Sequence, residues 1–94
     1  MESEELLLTG EAAIRVAKAL ASETSFKLLH FLAAGKQDVS TIAQRLEFSE
    51  PYISEVIARL GSLGLINVSY APGKKGIRKI CELAHRKIVI MINP

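Results

Sequence analysis

Apolar and polar positions along this chain follow two regimes that meet at Gly64. Before it, apolar residues recur at helical spacing. After it, they alternate or run together. The clearest helical stretch ends at that glycine. Ile53, Val56, Ile57, Leu60 and Leu63 stand at i, i+3, i+4, i+7 and i+10, one apolar stripe on a helix from about Pro51 to Leu63. Ser49 is placed to cap it, Pro51 sits in its first turn where a missing N–H does no harm, and Gly64 ends it. Ile42, Ala43 and Leu46 give a shorter helix from about Thr41 to Leu46, broken off by Phe48-Ser49.

The same rules predict two helices further upstream. Thr9 is a cap for a first helix from Glu11, with Ala13, Ile14, Ala17 and Leu20 facing inward. Ser22 or Thr24 caps a second, whose apolar payload is Phe26, Leu28, Leu29, Phe31 and Leu32, closed by Gly35. Residues 1–8 read as an acidic lead into helix 1. Lys36-Gln37-Asp38 reads as a turn, with Val39 as a one-residue bridge to a later strand.

Beyond Gly64 the β-formers take over. Leu65–Tyr70 alternates as a strand, Ala71–Gly76 is a turn with two glycines and a proline, and Ile77–Leu83 is a second strand. Arg86–Ile92 is apolar on consecutive β-branched residues and reads as a terminal strand buried on both faces. The start of a helix is the alternative, but the segment is short for one. The fold class expected is mainly α with a β-hairpin over 65–83 and an additional C-terminal strand over 86–92, all in a single domain over 1–94 after an acidic lead of ten residues.

Helices 3 and 4 alone fit two readings equally. One is an ordinary helical hairpin. The other is a helix-turn-helix, whose second helix enters the DNA major groove. The basic β-hairpin directly after them favours the second, because a hairpin in that place makes a winged helix-turn-helix.

Charge adds to this picture. Net charge is only +2, yet the first eleven residues hold four acids and no base, and the remaining 83 hold twelve Lys or Arg against six acids. Lys74, Lys75, Arg78, Lys79, Arg86 and Lys87 face Glu82 alone between residues 74 and 87. Such a cluster suits a polyanion; a solvated hairpin with lysines guarding its edge is the other reading. A composition 49% hydrophobic in so short a chain points to apolar surface buried against a second copy. No apolar run reaches the roughly 20 residues that span a bilayer, and the acidic N-terminus is unlike a signal peptide, so a cytoplasmic protein is expected. One cysteine and two histidines supply neither an internal disulfide nor a metal framework. No cofactor motif or catalytic constellation stands out, so an enzyme is not expected.

At this point the chain resembles a family. Ala19–Thr24, Lys27–Leu32 and Gly35 resemble the opening helices of ArsR-type winged-helix transcriptional regulators. Ile42–Leu46, Ser49, Tyr52-Ile53-Ser54, Leu60, Leu63 and Gly64-Leu65-Ile66 continue the likeness. Gly73, Gly76–Lys79 and Leu83 are similar to the wing, and the tail is similar to small archaeal regulators of this type. The match covers about residues 17–83. The resemblance implies a homodimer that binds an inverted-repeat operator. Metal sensing is not carried over: helix 3 has no cysteine, and the C-terminal element offers only His85.

The residues expected to touch double-stranded DNA follow from these elements. On helix 4 they are Ser49, Glu50, Tyr52, Ser54, Glu55 and Arg59, which lie at its N-terminus or point outward. Glu50 or Glu55 can accept from a cytosine amine. Ser49 serves first as a cap. Gln44 and Arg45 on helix 3, and Lys74, Lys75, Arg78 and Lys79 on the wing, are expected at the phosphates. Cys81 reads as a small buried hydrophobe and His30 as packed among apolar neighbours. A rival reading is a winged-helix module that binds protein and not DNA. It draws on the acidic helix 4 and the apolar terminal strand. Four cations at Lys74–Lys79 favour DNA.

Overall fold

A computed structural model describes residues 3–93, with side chains described from residue 5. The first two positions of the acidic lead and Pro94 lie outside the described residues. The order of elements is β1 (Ser3–Leu8), α1 (Gly10–Leu20), α2 (Glu23–Leu32), β2 (Gln37–Asp38), α3 (Val39–Leu46), α4 (Glu50–Ser62), β3 (Ile66–Gly73), β4 (Gly76–Leu83) and β5 (His85–Ile90). The architecture is a winged helix carrying an extra pair of strands.

α4 is the centre of the core. Ile53, Val56, Ile57 and Leu60 are all fully buried on its inner stripe. Side chains of this size contribute roughly 1.5–3 kcal/mol each when buried. Leu28 and Leu32 of α2, Ile42 and Ala43 of α3, Ala13 and Val16 of α1, and Cys81 of β4 close around them. Ser49 caps α4, its Oγ accepting from the Tyr52 N–H at 3.3 Å. Gly64 follows at φ +78°, and its N–H donates to the Gly61 carbonyl at 3.0 Å. A residue with a Cβ is strained in that conformation, so glycine there ends the helix cleanly.

The wing sheet runs β2-β4-β3, antiparallel throughout. Gly73 pairs with Gly76, so only Lys74 and Lys75 form the tip. The expected six-residue turn is thus a two-residue one, and both strands run further than the sequence suggested. Pro72 is tolerated because β3 is an edge strand, where an absent N–H breaks no second ladder.

Several expectations are corrected. Residues 3–8 are not a lead into a helix but strand β1, paired in parallel with β5 through Leu6↔Ile88, Leu7↔Val89 and Leu8↔Ile90. β5 is not buried on both faces. Arg86, Lys87 and Ile90 are exposed, and Ile88 and Val89 are half-buried. The bridge to β4 is made by Gln37 and Asp38, not by Val39, which opens α3 and is buried. On α1 the inward positions are Ala13 and Val16, whereas Ile14 and Ala17 face solvent. Phe26 is exposed, leaving Leu28 and Leu32 as the buried payload of α2. Each of these slips concerns which side of an amphipathic element meets its neighbour, or a pairing between distant segments.

Candidate nucleic-acid interface

The exposed side of α4 is built from its residues outward. With Ile53, Val56, Ile57 and Leu60 turned inward, the helical period puts Pro51, Glu55, Ala58 and Ser62 on the opposite face. Tyr52 and Arg59 lie along one flank, and Glu50 and Ser54 along the other. All of these except the half-buried Ser54 are exposed. Acids thus outnumber bases on the helix surface.

The wing supplies the opposite charge. Glu50 and Ser54 line an open cleft of about 360 Å³ whose other wall is Lys75, Gly76, Ile77, Arg78 and Lys79. Asp38, Val39 and Ser40, at the start of α3, form its floor. The structure therefore brings together the N-terminal half of α4 and the cationic strand of the wing, which the sequence placed 25 residues apart. Lys74 is exposed at the tip beside this cleft.

Asp38 was not among the residues singled out from sequence. Its side chain does two things at once. Oδ1 accepts from the Thr41 N–H at 2.8 Å and so caps α3; Oδ2 accepts from Arg78 Nε at 2.9 Å. The hydrogen bonds from Thr41, and to a lesser degree the Arg78 guanidinium, hold the Asp38 carboxyl below its ordinary pKa. This ion pair fastens the wing to the helix-turn-helix. Asp38 stands three positions before Thr41, the spacing of an N-cap, and that was the signal available in the sequence. Gly73 fits the same junction: a Cβ there would collide with the aliphatic stem of Arg78.

The remaining expected residues are dispersed around this centre. Tyr52 is turned back toward α2, its hydroxyl donating to Thr24 Oγ1 at 3.4 Å and its ring stacked at a tilt on Phe48 with centroids 5.1 Å apart. Arg45 lies over the Phe31 ring, 5.8 Å from its centroid, and Gln44 is exposed next to it. Arg59, on the last turns of α4, is exposed and stands away from the wing cleft. Lys79 is half-buried on β4 opposite Tyr70, lining both the cleft and a second groove between α4 and β3. Tyr70 and Ile77 are exposed large side chains of the wing that the sequence reading did not single out. Chemically, the arrangement offers an exposed, capped helix flanked by lysine ammonium groups and one guanidinium anchored on Asp38. No helix among the described residues is long and apolar enough to cross a membrane.

Comparison with solved structures places this architecture. Reduced HlyU from Vibrio cholerae superposes with a TM-score of 0.67 at 26% identity, over 77% of this chain and 72% of that one. The homodimeric winged helix-turn-helix DNA-binding domain of a possible ArsR-family transcriptional regulator from Mycobacterium bovis gives 0.69 at 28% identity, over 79% and 65%. An ArsR family transcriptional regulator gives 0.64 at 26%, over 78% and 76%. No protein-family model matches the sequence, and a search of curated proteins finds no match.

Proposed function

Because this chain is built as the ArsR-type winged helix-turn-helix regulators are, we propose that it is a homodimeric transcriptional regulator that binds double-stranded DNA. In this reading α4 enters the major groove, and the two copies of α4 read successive grooves about 34 Å apart. Ser54, Glu55 and Arg59 meet base edges or nearby phosphates, and Lys74, Lys75 and Lys79 neutralise backbone phosphates beside the groove. Arg78 holds the wing at its angle through Asp38 and presents its remaining N–H groups outward. Tyr52 and Arg45 reach phosphate from the α2–α3 side, after giving up weak contacts within the protein. The observation that carries the reading is the juxtaposition of an exposed, capped α4 with a basic wing tip across one open cleft.

The acidic face of α4 sets the terms of binding. Glu50 and Glu55 oppose phosphate, so affinity comes from the wing, while Glu55 selects a base that can donate, such as cytosine. Fluorescence anisotropy with a random duplex across a salt series tests this directly. The expected result is binding that falls steeply as salt rises. Absence of binding at low salt refutes it and leaves protein recognition by the same surfaces as the surviving reading.

A further inference from the structure

The strand pair β1–β5 is only two strands wide and parallel, a form ordinarily found buried within larger sheets. Its inner face is covered in part, Leu6, Leu8 and Ile88 meeting the core. Its β5 edge differs. The Met91 N–H donates to the Leu8 carbonyl at 2.8 Å, so the backbone groups of Val89 and Met91 point toward β1. Those of Ile88 and Ile90 alternate away from it; the strand ends at Ile90 and the chain bends at Ile92. Among the described residues, the backbone of these three isoleucines has no partner outside its own strand pair. Ile90 shares a strand face with Ile88 yet is 40% exposed, and Ile92, at the bend that follows, is 95% exposed.

We propose that the β5 edge is the dimer contact, where two copies of this chain join β5 to β5 in antiparallel fashion and form one four-stranded sheet. This rests on the homodimer reading above and specifies its interface. The sequence of β5 is self-complementary about a two-fold axis through Ile90. Ile90 then faces Ile90 of the partner subunit, and residue 88 of each copy faces residue 92 of the other. Val89 falls opposite residue 91, and the pairing ends at Ile92, where each chain bends. No charge meets a like charge, and the three isoleucines extend the inner apolar layer across the axis. The opposite edge is guarded: β1 begins with Ser3-Glu4-Glu5, and acids are a common block to edge pairing. β5 carries its charges, Arg86 and Lys87, only in its first half, so Ile88–Ile92 is an unguarded apolar edge.

Cysteine cross-linking in a Cys81→Ala background decides the register. Ile90→Cys places two thiols on the axis, at about 5.5 Å between Cα atoms, within disulfide range. It is expected to oxidise nearly completely to a covalent dimer. Ile92→Cys is more exposed, but the pairing separates its two copies by roughly 14 Å along the strands, so it should remain reduced. Equal oxidation of both variants, or of Ile92→Cys alone, overturns the register. In sedimentation, Ile92→Asp should raise the dimer dissociation constant at least tenfold with an unchanged circular dichroism spectrum, since that side chain touches little in its own subunit. A dimer indifferent to Ile92→Asp overturns the interface but leaves the homodimer reading standing. A wild-type protein that sediments as a monomer overturns both.

Discussion

Replacing Asp38 tests the junction of the wing with the helix-turn-helix. Asp38→Ala removes an N-cap, a loss of about 1 kcal/mol with a range of roughly 0.5–2. It also removes the partner of Arg78. That pair is half exposed on the Arg78 side and 14% exposed on the Asp38 side, and it contributes about 0.5 kcal/mol. The expected total is about 1.5 kcal/mol, or a fall in Tm of roughly 6–12 °C for a domain of this size. Asp38→Asn keeps an oxygen that caps α3 and loses only the charge, so it should cost about 0.5 kcal/mol, as should Arg78→Ala. The pH dependence has a definite sign. The folded pKa of Asp38 lies below its unfolded value. Its contribution is therefore full at pH values above the ordinary carboxylate pKa of about 3.9 and is lost as pH falls through the folded value. Urea unfolding at one fixed protein concentration, stepped from about pH 7 to about pH 2.5, measures this. The gap between wild type and Asp38→Asn should close toward the acid end. If Asp38→Asn proves as damaging as Asp38→Ala, or the gap persists in acid, the cap and the ion pair do not divide the work as described.

Three further outcomes are expected. Changing both Lys74 and Lys75 to Ala should lower the salt slope of DNA binding by roughly 3–4 per dimer, from about 0.9 per lost phosphate contact; an unchanged slope in the anisotropy series would remove the wing tip from the interface. Ile57→Ala, at a fully buried position, should destabilise the fold by about 2–5 kcal/mol in denaturant titrations, and a loss under 1 would mean that the site collapses around the gap. The thiol of Cys81 is buried and its pKa is raised by desolvation, so a thiol reagent near neutral pH should modify it only after denaturant is added. Rapid labelling of the native protein would show β4 to open far more readily than its place in the core implies.

What could be read from the sequence depended on how local the cause was. α4 was legible because its signals are adjacent: the Ser49 cap, Pro51, four inward positions in register and Gly64. The wing was legible as a change of period, though its true tip needed the pairing of Gly73 with Gly76 across the turn. β1 was not legible. Ser3–Leu8 has acids and leucines of no strong β preference, and it is a strand because β5 lies alongside, some 80 residues later. The inward face of α1 was misassigned because alanines dominate it and the competing stripes differ by one residue; tertiary contact selected Val16 over Ile14. The candidate interface followed the same rule. Its exposed helix residues came from periodicity, whereas the Asp38–Arg78 clasp joins positions 40 apart and required the fold.

The β1–β5 pairing also bears on the order in which the molecule assembles. The other strand ladders lie within residues 37–83, but this ladder joins segments near opposite ends of the described chain. Its closure entropy is the largest in the fold, although it grows only with the logarithm of loop length. Long-range pairing of that kind is slow, and is favoured only after the intervening helices have compacted. During synthesis β1 is made early and must wait, solvated by its glutamates, until β5 has left the ribosome. The helix-turn-helix ends at Ser62 and can be in place first, whereas the wing ends at Leu83, two residues ahead of β5, so the proposed β5 contact becomes available only at the end of folding.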